Sequence, residues 1–242
     1  CPEVYWFVIN LPSQCAICKA WPAIPVCHAC VSAFGQPKPR CQRCARALPA
    51  SFWMMSFTPE HQEPTLCSDC QDIPPKLDAC WAAMSYTWPW TQLVGQFKFQ
   101  NDPAWAKALA QLMRSAPGVE DALDQAEVLL PMPLSAQRLA ERGFNQALLL
   151  ATALCTPKTQ ALTLLKLRHT VQQSTLKRSA RLQNLVGALA VAPLLATALR
   201  GKRVLLIDDV MTSGASLNTA AEVLKQAGAK SVKGLVFART EV

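Results

Sequence analysis

Four Cys-x-x-Cys pairs stand in line in the first third of this 242-residue chain: Cys15/Cys18, Cys27/Cys30, Cys41/Cys44 and Cys67/Cys70. A tight CxxC knuckle presents two thiolates to one point, and two knuckles complete a tetrahedral four-cysteine shell around a metal. Eight cysteines so spaced predict two structural Zn2+ ions. The simplest pairing is sequential, 15/18 with 27/30 and 41/44 with 67/70; interleaved pairing is the alternative. A disulfide scaffold is the competing reading. It is disfavoured because the opening residues lack the basic stretch and long apolar run of a secretion signal.

The same region holds eleven of the eighteen prolines and nine of the eleven cysteines within residues 1–76, with little helical periodicity. Such a segment cannot build a large apolar core and needs a staple. Cys1, Cys80 and Cys155 fall outside the pattern and read as ordinary thiols. His28 lies inside the second knuckle but is not needed as a ligand. Arg40, Arg43 and Arg46 crowd the third knuckle, where they either balance thiolate charge or touch nucleic acid.

Beyond residue 76 the pattern changes to alternating helix and strand, which divides the chain into a cysteine-rich module (1–76) and an α/β domain (77–242). Ala104 to Arg114 reads as an amphipathic helix. Glu127 to Leu130 reads as a buried strand ended by Pro131, and Gln146 to Leu154 as an apolar helix. Arg203 to Ile207 is a strand, Leu217 to Gln226 a helix stopped by Gly228, and Ser231 to Phe237 another strand. This order predicts a parallel sheet flanked by helices, with ligands at the C-terminal strand ends. Trp81, Trp88 and Trp90 flank the junction and are expected to pack between the two parts. Phe97 and Phe99 are expected to pack similarly, with Lys98 facing away.

Composition narrows the possible partners. With 51% hydrophobic and 17% charged residues the chain is globular rather than disordered. No apolar run reaches the roughly 18 residues of a membrane span. The formal charge is +8, and the segment from Arg138 to Arg203 carries eleven Lys/Arg against one acid, Glu141. Two zinc ions, each held by four thiolates, would lower the total to about +4 and leave the positive face to the α/β domain. That asymmetry predicts an anionic partner, a phosphorylated small molecule or a nucleic acid.

The basic segment leads into VLLIDDVMTSGAS, Val204 to Ser216. Asp208 and Asp209 sit where the strand leaves the sheet, placed to accept ribose hydroxyls and to attract hydrated Mg2+. Thr212, Ser213, Gly214, Ala215 and Ser216 form a loop of small residues that opens a helix. Its backbone amides and the helix N-terminus suit a 5′-phosphate. Acids for hydroxyls followed by amides for phosphate match a ribose 5-phosphate end to end. A plain helix N-cap with chance acids is the bland alternative.

This segment resembles the signature of type I phosphoribosyltransferases. Pro131-Met132-Pro133-Leu134, then Arg142-Gly143-Phe144-Asn145-Gln146, then Arg168, Thr170, Gln173, Leu176, Arg181 and Asn184 resemble the ComF/GntX family of competence-associated proteins. The resemblance covers nearly the whole chain. It implies a type I phosphoribosyltransferase-like domain behind a double zinc-ribbon module. It also implies that Asp208 and Asp209 hold ribose hydroxyls and Mg2+ of phosphoribosyl pyrophosphate, and that Thr212 to Ser216 cradle its 5′-phosphate. Met132 and Pro133 would lie in the pyrophosphate loop. Arg142 would reach pyrophosphate or a base, and Lys177, Arg178 or Arg181 would close as a flap. Arg138, Arg142, Arg168, Lys177, Arg178 and Arg181 are the candidate contacts for single-stranded DNA.

One departure matters. Purine salvage enzymes with this loop usually carry an acid where this chain has Thr212, and a threonine is a poor general base. Three functions follow as expectations: a DNA-uptake protein that binds phosphoribosyl pyrophosphate and single-stranded DNA, an Mg2+-dependent phosphoribosyltransferase, and a scaffold docking a DNA-translocation helicase or another competence protein. All three imply a cytoplasmic protein, in one version at the inner face of the membrane.

Overall fold

The computed structural model describes residues 13–51, 65–99, 102–167 and 188–241. Its framework is a four-stranded, all-parallel sheet of β1 (Ala79–Ser85), β2 (Val128–Pro131), β5 (Arg203–Met211) and β6 (Ser231–Arg239), in spatial order β1-β6-β5-β2. Two short strands, β3 (Leu164–Lys166) and β4 (Leu189–Val191), pair antiparallel beside it. The residues between them, 168–187, lie outside the described ones.

Parallel strands need crossovers, and helices supply them. Between β1 and β2 run α3 (Trp90–Phe99), α4 (Trp105–Arg114) and α5 (Val119–Gln125). Between β2 and β3 lie α6 (Ala136–Arg142) and α7 (Gln146–Cys155), and between β5 and β6 lies α8 (Ala215–Gln226). In α4 the buried residues Ala106, Leu109, Ala110 and Met113 fall at helical spacing on one stripe. This stripe packs with Leu93 and Phe97 of α3 and Leu150 and Leu154 of α7 against Leu129, Leu205, Ile207 and Phe237. On the opposite face Leu217, Ala220, Ala221 and Leu224 of α8 pack on Val204, Leu206, Val232 and Val236. Each fully buried Leu or Phe here contributes about 1.5–3 kcal/mol relative to exposure.

Strand alternation decides which residue serves which face. Leu205 and Ile207 point to the α4 side, and Val204 and Leu206 to the α8 side. Past Ile207 the alternation is not kept, since Val210 packs on the α4 side and Met211 on the α8 side. Asp208 and Asp209 lie in this last part of β5, at the C-terminal end of the sheet.

The cysteine-rich part includes α1 (His28–Phe34) and α2 (Ser68–Asp72) and packs directly on this framework. Cys15, Val26 and Cys30 join the core that holds Met84 and Trp90. The Trp90 indole N–H donates to the Phe34 carbonyl at 3.0 Å, and Trp88 meets the Phe34 ring edge-on at a centroid distance of 4.9 Å. Those two tryptophans are used as expected. Trp81 instead lies beside Lys233, whose ammonium is 5.7 Å from its ring.

Candidate functional site

The eight knuckle cysteines gather into two sets, Cys15/Cys18/Cys27/Cys30 and Cys41/Cys44/Cys67/Cys70, with all sulfurs of a set within 4.8 Å of one another. The sequential pairing is therefore the one found. A tetrahedral shell with metal–sulfur bonds of about 2.3 Å sets its sulfurs about 3.8 Å apart. The contacts Cys15–Cys30, Cys18–Cys27 and Cys44–Cys67 measure 3.9, 3.7 and 3.7 Å. The residues present fit the ion.

Crowding splits the thiol acidities. Burial alone would raise Cys15, but backbone amides of Cys27, Cys18 and Ile17 pull it down to about 6. The hydrogen bond from Cys44 draws Cys41 down to about 4, while Cys44 itself is pushed up. Burial and then neighbouring thiols push Cys30 up to about 12; burial and the charge of Cys41 do the same for Cys70. Cys15 and Cys41 thus favour the thiolate while Cys30, Cys44 and Cys70 resist it, and a divalent cation would remove that resistance.

The arginines around the third knuckle are engaged within the fold. Arg46 pairs with Asp69 at 3.0 Å, and Arg43 donates to the Leu77 carbonyl at 3.1 Å. Arg40 reaches Ser85 and Glu241, both at 3.1 Å. Of the cysteines outside the knuckles, Cys80 is a buried free thiol, and Cys1 lies outside the described residues. Cys155 corrects the expectation of an ordinary thiol, being disulfide-bonded.

The second centre is a cavity of about 670 Å³ at the C-terminal end of β5. Its size falls in the range of small-molecule sites. Asp208, Asp209, Thr212 and Ser216 line it from β5 and the following loop. Met132, Pro133 and Leu134 line it from the turn after β2, and Arg138, Arg142, Asn145 and Gln146 from α6 and the start of α7. Lys98 and Phe99 at the end of α3 and Lys166 of β3 complete the wall. Ser213, Gly214 and Ala215 form the loop but do not line the cavity. Arg168, Lys177, Arg178 and Arg181, with Thr170, Gln173, Leu176 and Asn184, lie outside the described residues.

Each acid meets a lysine that the sequence did not associate with it. Lys98, expected to face away, turns inward and pairs with Asp209 at 2.9 Å. Asp209 is only 7% exposed, so this charge needed a partner. Asp208 accepts from the Asp209 amide at 2.9 Å. Burial and then the Asp209 charge push Asp208 up to about 7, against pulls from Lys98 and Lys166. Lys166 is itself lowered, first by burial and then by Arg138.

The loop backbone is set by Gly214. Its φ of +77° is left-handed, and a Cβ there would strike the Met211 methyl. Gly214 is also the N-cap of α8, so the cap position itself has no side chain to cover the helix amides. The Ser213 hydroxyl accepts from the Ala215 amide at a long 3.4 Å. Asn218 ties the loop down, its amide donating to the Gly214 carbonyl at 3.0 Å. The Asn218 carbonyl accepts from the Lys76 amide at 2.8 Å.

Arg239, 3% exposed, holds the loop from the other side. It donates to the carbonyls of Met211 at 3.3 Å and of Thr212. Its Nε donates to the Cys44 carbonyl at 2.9 Å. One side chain therefore joins the second cysteine set to the loop after β5.

The RGFNQ run has a local logic. Gly143, at φ +74°, closes α6. Phe144 packs against Phe97 with centroids 5.8 Å apart. Asn145 caps α7 through the amides of Ala147 and Leu148 and donates to the Met132 carbonyl at 3.0 Å. It thereby anchors the turn after β2.

Comparison with known proteins agrees with this geometry. Residues 143–241 match the phosphoribosyl transferase domain family. The chain is 28% identical over 249 residues to DNA utilization protein YhgH of Salmonella typhimurium, covering 96% of this chain and all of that one. It is 32% identical over 182 residues to competence protein F of Haemophilus influenzae, covering 72% and 78% of the two chains. Competence protein ComFC of Bacillus subtilis is 37% identical over 118 residues, 48% of this chain and 46% of its own. The parallel sheet with flanking helices, the two four-cysteine sets and this coverage place the protein: the chain belongs to the ComF family and carries a phosphoribosyltransferase-like domain.

Proposed function

We propose that the cavity at the end of β5 binds phosphoribosyl pyrophosphate with Mg2+, and that the protein serves the handling of DNA in competence or DNA utilisation. The observation that carries the reading is the convergence of Asp208, Asp209, Thr212 and Ser216 with Met132, Pro133 and Leu134 on one cavity. In this reading Asp208 and Asp209 accept the ribose hydroxyls, and the amides at the start of α8 take the 5′-phosphate. The 131–134 turn, with Arg138 and Lys166, faces the pyrophosphate. Bound Mg2+ supplies charge neutralisation for that pyrophosphate. The two four-cysteine sets hold structural zinc.

Whether bound ligand turns over depends on the acceptor. Thr212 offers no general base, so an acceptor whose nitrogen is already acidic is the class this cavity suits. Catalysis would rest on positioning and on stabilising the leaving charge. Lys98 bridges Asp209 and must release it when ribose enters.

Titration calorimetry with phosphoribosyl pyrophosphate and Mg2+ tests the reading. The wild type binds, and Asp208→Asn/Asp209→Asn loses at least about tenfold in affinity. Absence of binding by the wild type would overturn it. Single-stranded DNA is the proposed macromolecular partner, suggested by the relatives' names and by the run of positive charge from Arg138 to Arg203. Its affinity should fall steeply with salt; a flat salt dependence would remove the basic face as its site.

A further inference from the structure

We infer that Cys18 and Cys27 form a peroxide-sensitive pair: oxidation joins them in a disulfide and frees the metal of the first cysteine set, while the second set keeps its own. The inference rests on the zinc reading of the two sets and is independent of the ribose-phosphate reading.

The two sets use the same ligands but differ in what covers them. In the first, Cys15 and Cys30 are buried in the core that holds Trp90, whereas Cys18 is exposed and Cys27 half-buried. The chain beyond Cys18 is exposed as well, from Lys19 to Pro22, and so are His28 and Ala29 beside Cys27. The first set therefore has a buried edge and an open edge. At the open edge the Cys18 and Cys27 sulfurs face each other at 3.7 Å. A disulfide needs them at about 2.05 Å, a short closure for two knuckles already in contact. In the second set Cys41, Cys67 and Cys70 are buried and Cys44 is half-buried.

Charge divides the sets in the same way. Beside the second set Arg46 pairs with Asp69 at 3.0 Å, within electrostatic reach of Cys67 and Cys44. Its Nε is buried without a hydrogen-bond partner among the described residues, which leaves an N–H for an ionised sulfur. Such outer-shell donors draw charge from thiolates and help to hold a metal. Beside the first set Lys19 turns its ammonium to the Ala16 carbonyl at 3.0 Å, in an exposed contact.

Thiolate oxidation follows exposure and thiolate character, and a sensor cysteine stands beside a second that resolves it. Cys18 and Cys27 meet these conditions when the set holds zinc. The Cys18 thiolate attacks one oxygen of hydrogen peroxide; the S–O bond forms, the O–O bond breaks and hydroxide leaves. The Cys27 thiolate then attacks that sulfur; the S–S bond forms, the S–O bond breaks and a second hydroxide leaves. The sulfurs are oxidised and the peroxide is reduced. The set is left with Cys15 and Cys30 alone, too few thiolates to hold a zinc ion. A dithiol reductant with added Zn2+ reverses the change.

The test follows metal and sulfur together. The full-length chain is purified with its zinc, its metal content is measured, and hydrogen peroxide is added. Free zinc is followed with a chromogenic chelator, and disulfides are mapped by mass spectrometry at the end of the first phase. About half of the bound zinc should leave in that phase, with Cys18 joined to Cys27 and with Cys41, Cys44, Cys67 and Cys70 still protected from alkylation. The rest should leave at least about tenfold more slowly, the lower end of what outer-shell partners contribute to holding a metal. Dithiothreitol and Zn2+ should restore the full metal content. Cys18→His keeps a zinc ligand but removes the attacking sulfur; it should retain its metal and lose the fast phase, with melting temperature as the control for folding. The wild type alone decides the matter if that variant does not fold. Release of all the zinc at one rate, or a first disulfide other than Cys18–Cys27, would overturn the inference and leave the zinc reading standing. A chain without zinc before peroxide is added would overturn both.

Discussion

Asp208 holds its proton more tightly in the fold than in the unfolded chain, with a folded pKa of about 7 against the usual carboxylate range near ~4. A raised carboxyl pKa stabilises the fold below the unfolded value, and that stability is lost as pH rises from about 4 to about 7. Asn imitates the protonated acid. Asp208→Asn should therefore melt higher than wild type at pH 8 without added magnesium, and show no such gain at pH 4, while losing ligand affinity. Thermal melts across that range check the sign. Gly214 carries the opposite trade. Ala at φ +77° costs roughly 1–2 kcal/mol for the left-handed backbone, and its Cβ displaces the Met211 methyl. Gly214→Ala should lower the melting temperature and weaken phosphoribosyl pyrophosphate binding by about tenfold or more. Residues such as these are legible in the sequence: adjacent acids after an apolar strand and a small-residue loop specify a local shape. Their lysines are not. Lys98 and Lys166 reach the acids from distant elements, Lys98 pairing with Asp209 and both lysines pulling on Asp208, and nothing near the acids in the chain announces them.

Among the elements, those that announce themselves are the ones with strong periodicity or clean punctuation. The helices beginning near Ala104, Gln146 and Leu217 and the strands at Glu127, Arg203 and Ser231 are readable because apolar spacing and Pro131 or Gly228 bound them. β1 escapes such a reading: its CWAAMS run sits among tryptophans that look like junction packing. α6 escapes it because AQRLAER buries nothing. Its role is to end at Gly143 and hand over to Asn145, which caps α7 and tethers the turn after β2. Asn145→Ala removes a side-chain cap worth typically about 1 kcal/mol. In a chain of this size that corresponds to a fall in melting temperature of about 2–4 °C, and the freed turn should add a loss of pyrophosphate affinity. A melt change without an affinity change would confine Asn145 to the cap alone.

For the molecule as a whole, the cysteine-rich part is built into the α/β framework. Cys15 and Cys30 share a core with Trp90 and Phe97, and Glu241 beyond β6 accepts from Ala47, Ser85 and Arg40. Metal analysis should return two zinc ions per chain. Stripping them with a strong chelator should lower the stability of the whole chain rather than melt the N-terminal part alone, a distinction that hydrogen exchange over β1 and β6 resolves. One transition without protection left in β1 is the expected outcome. An intact sheet after zinc removal would contradict it.

Arg239 gives that arrangement a further meaning. A single guanidinium grips the Cys44 carbonyl at one end and the Met211 and Thr212 carbonyls at the other, so that a metal held by the one part and a phosphate held by the other would be linked through it. Coupling between two binding events is reciprocal. If zinc at the second cysteine set steadies the phosphate loop, then a sugar phosphate in the loop must slow the escape of that zinc by the same free energy. Arg239→Met would cut the reciprocity while leaving both sets of ligands in place. The chain would then lose a property that neither half has alone: it would no longer register, through its nucleotide-sized cavity, whether it is fully metallated.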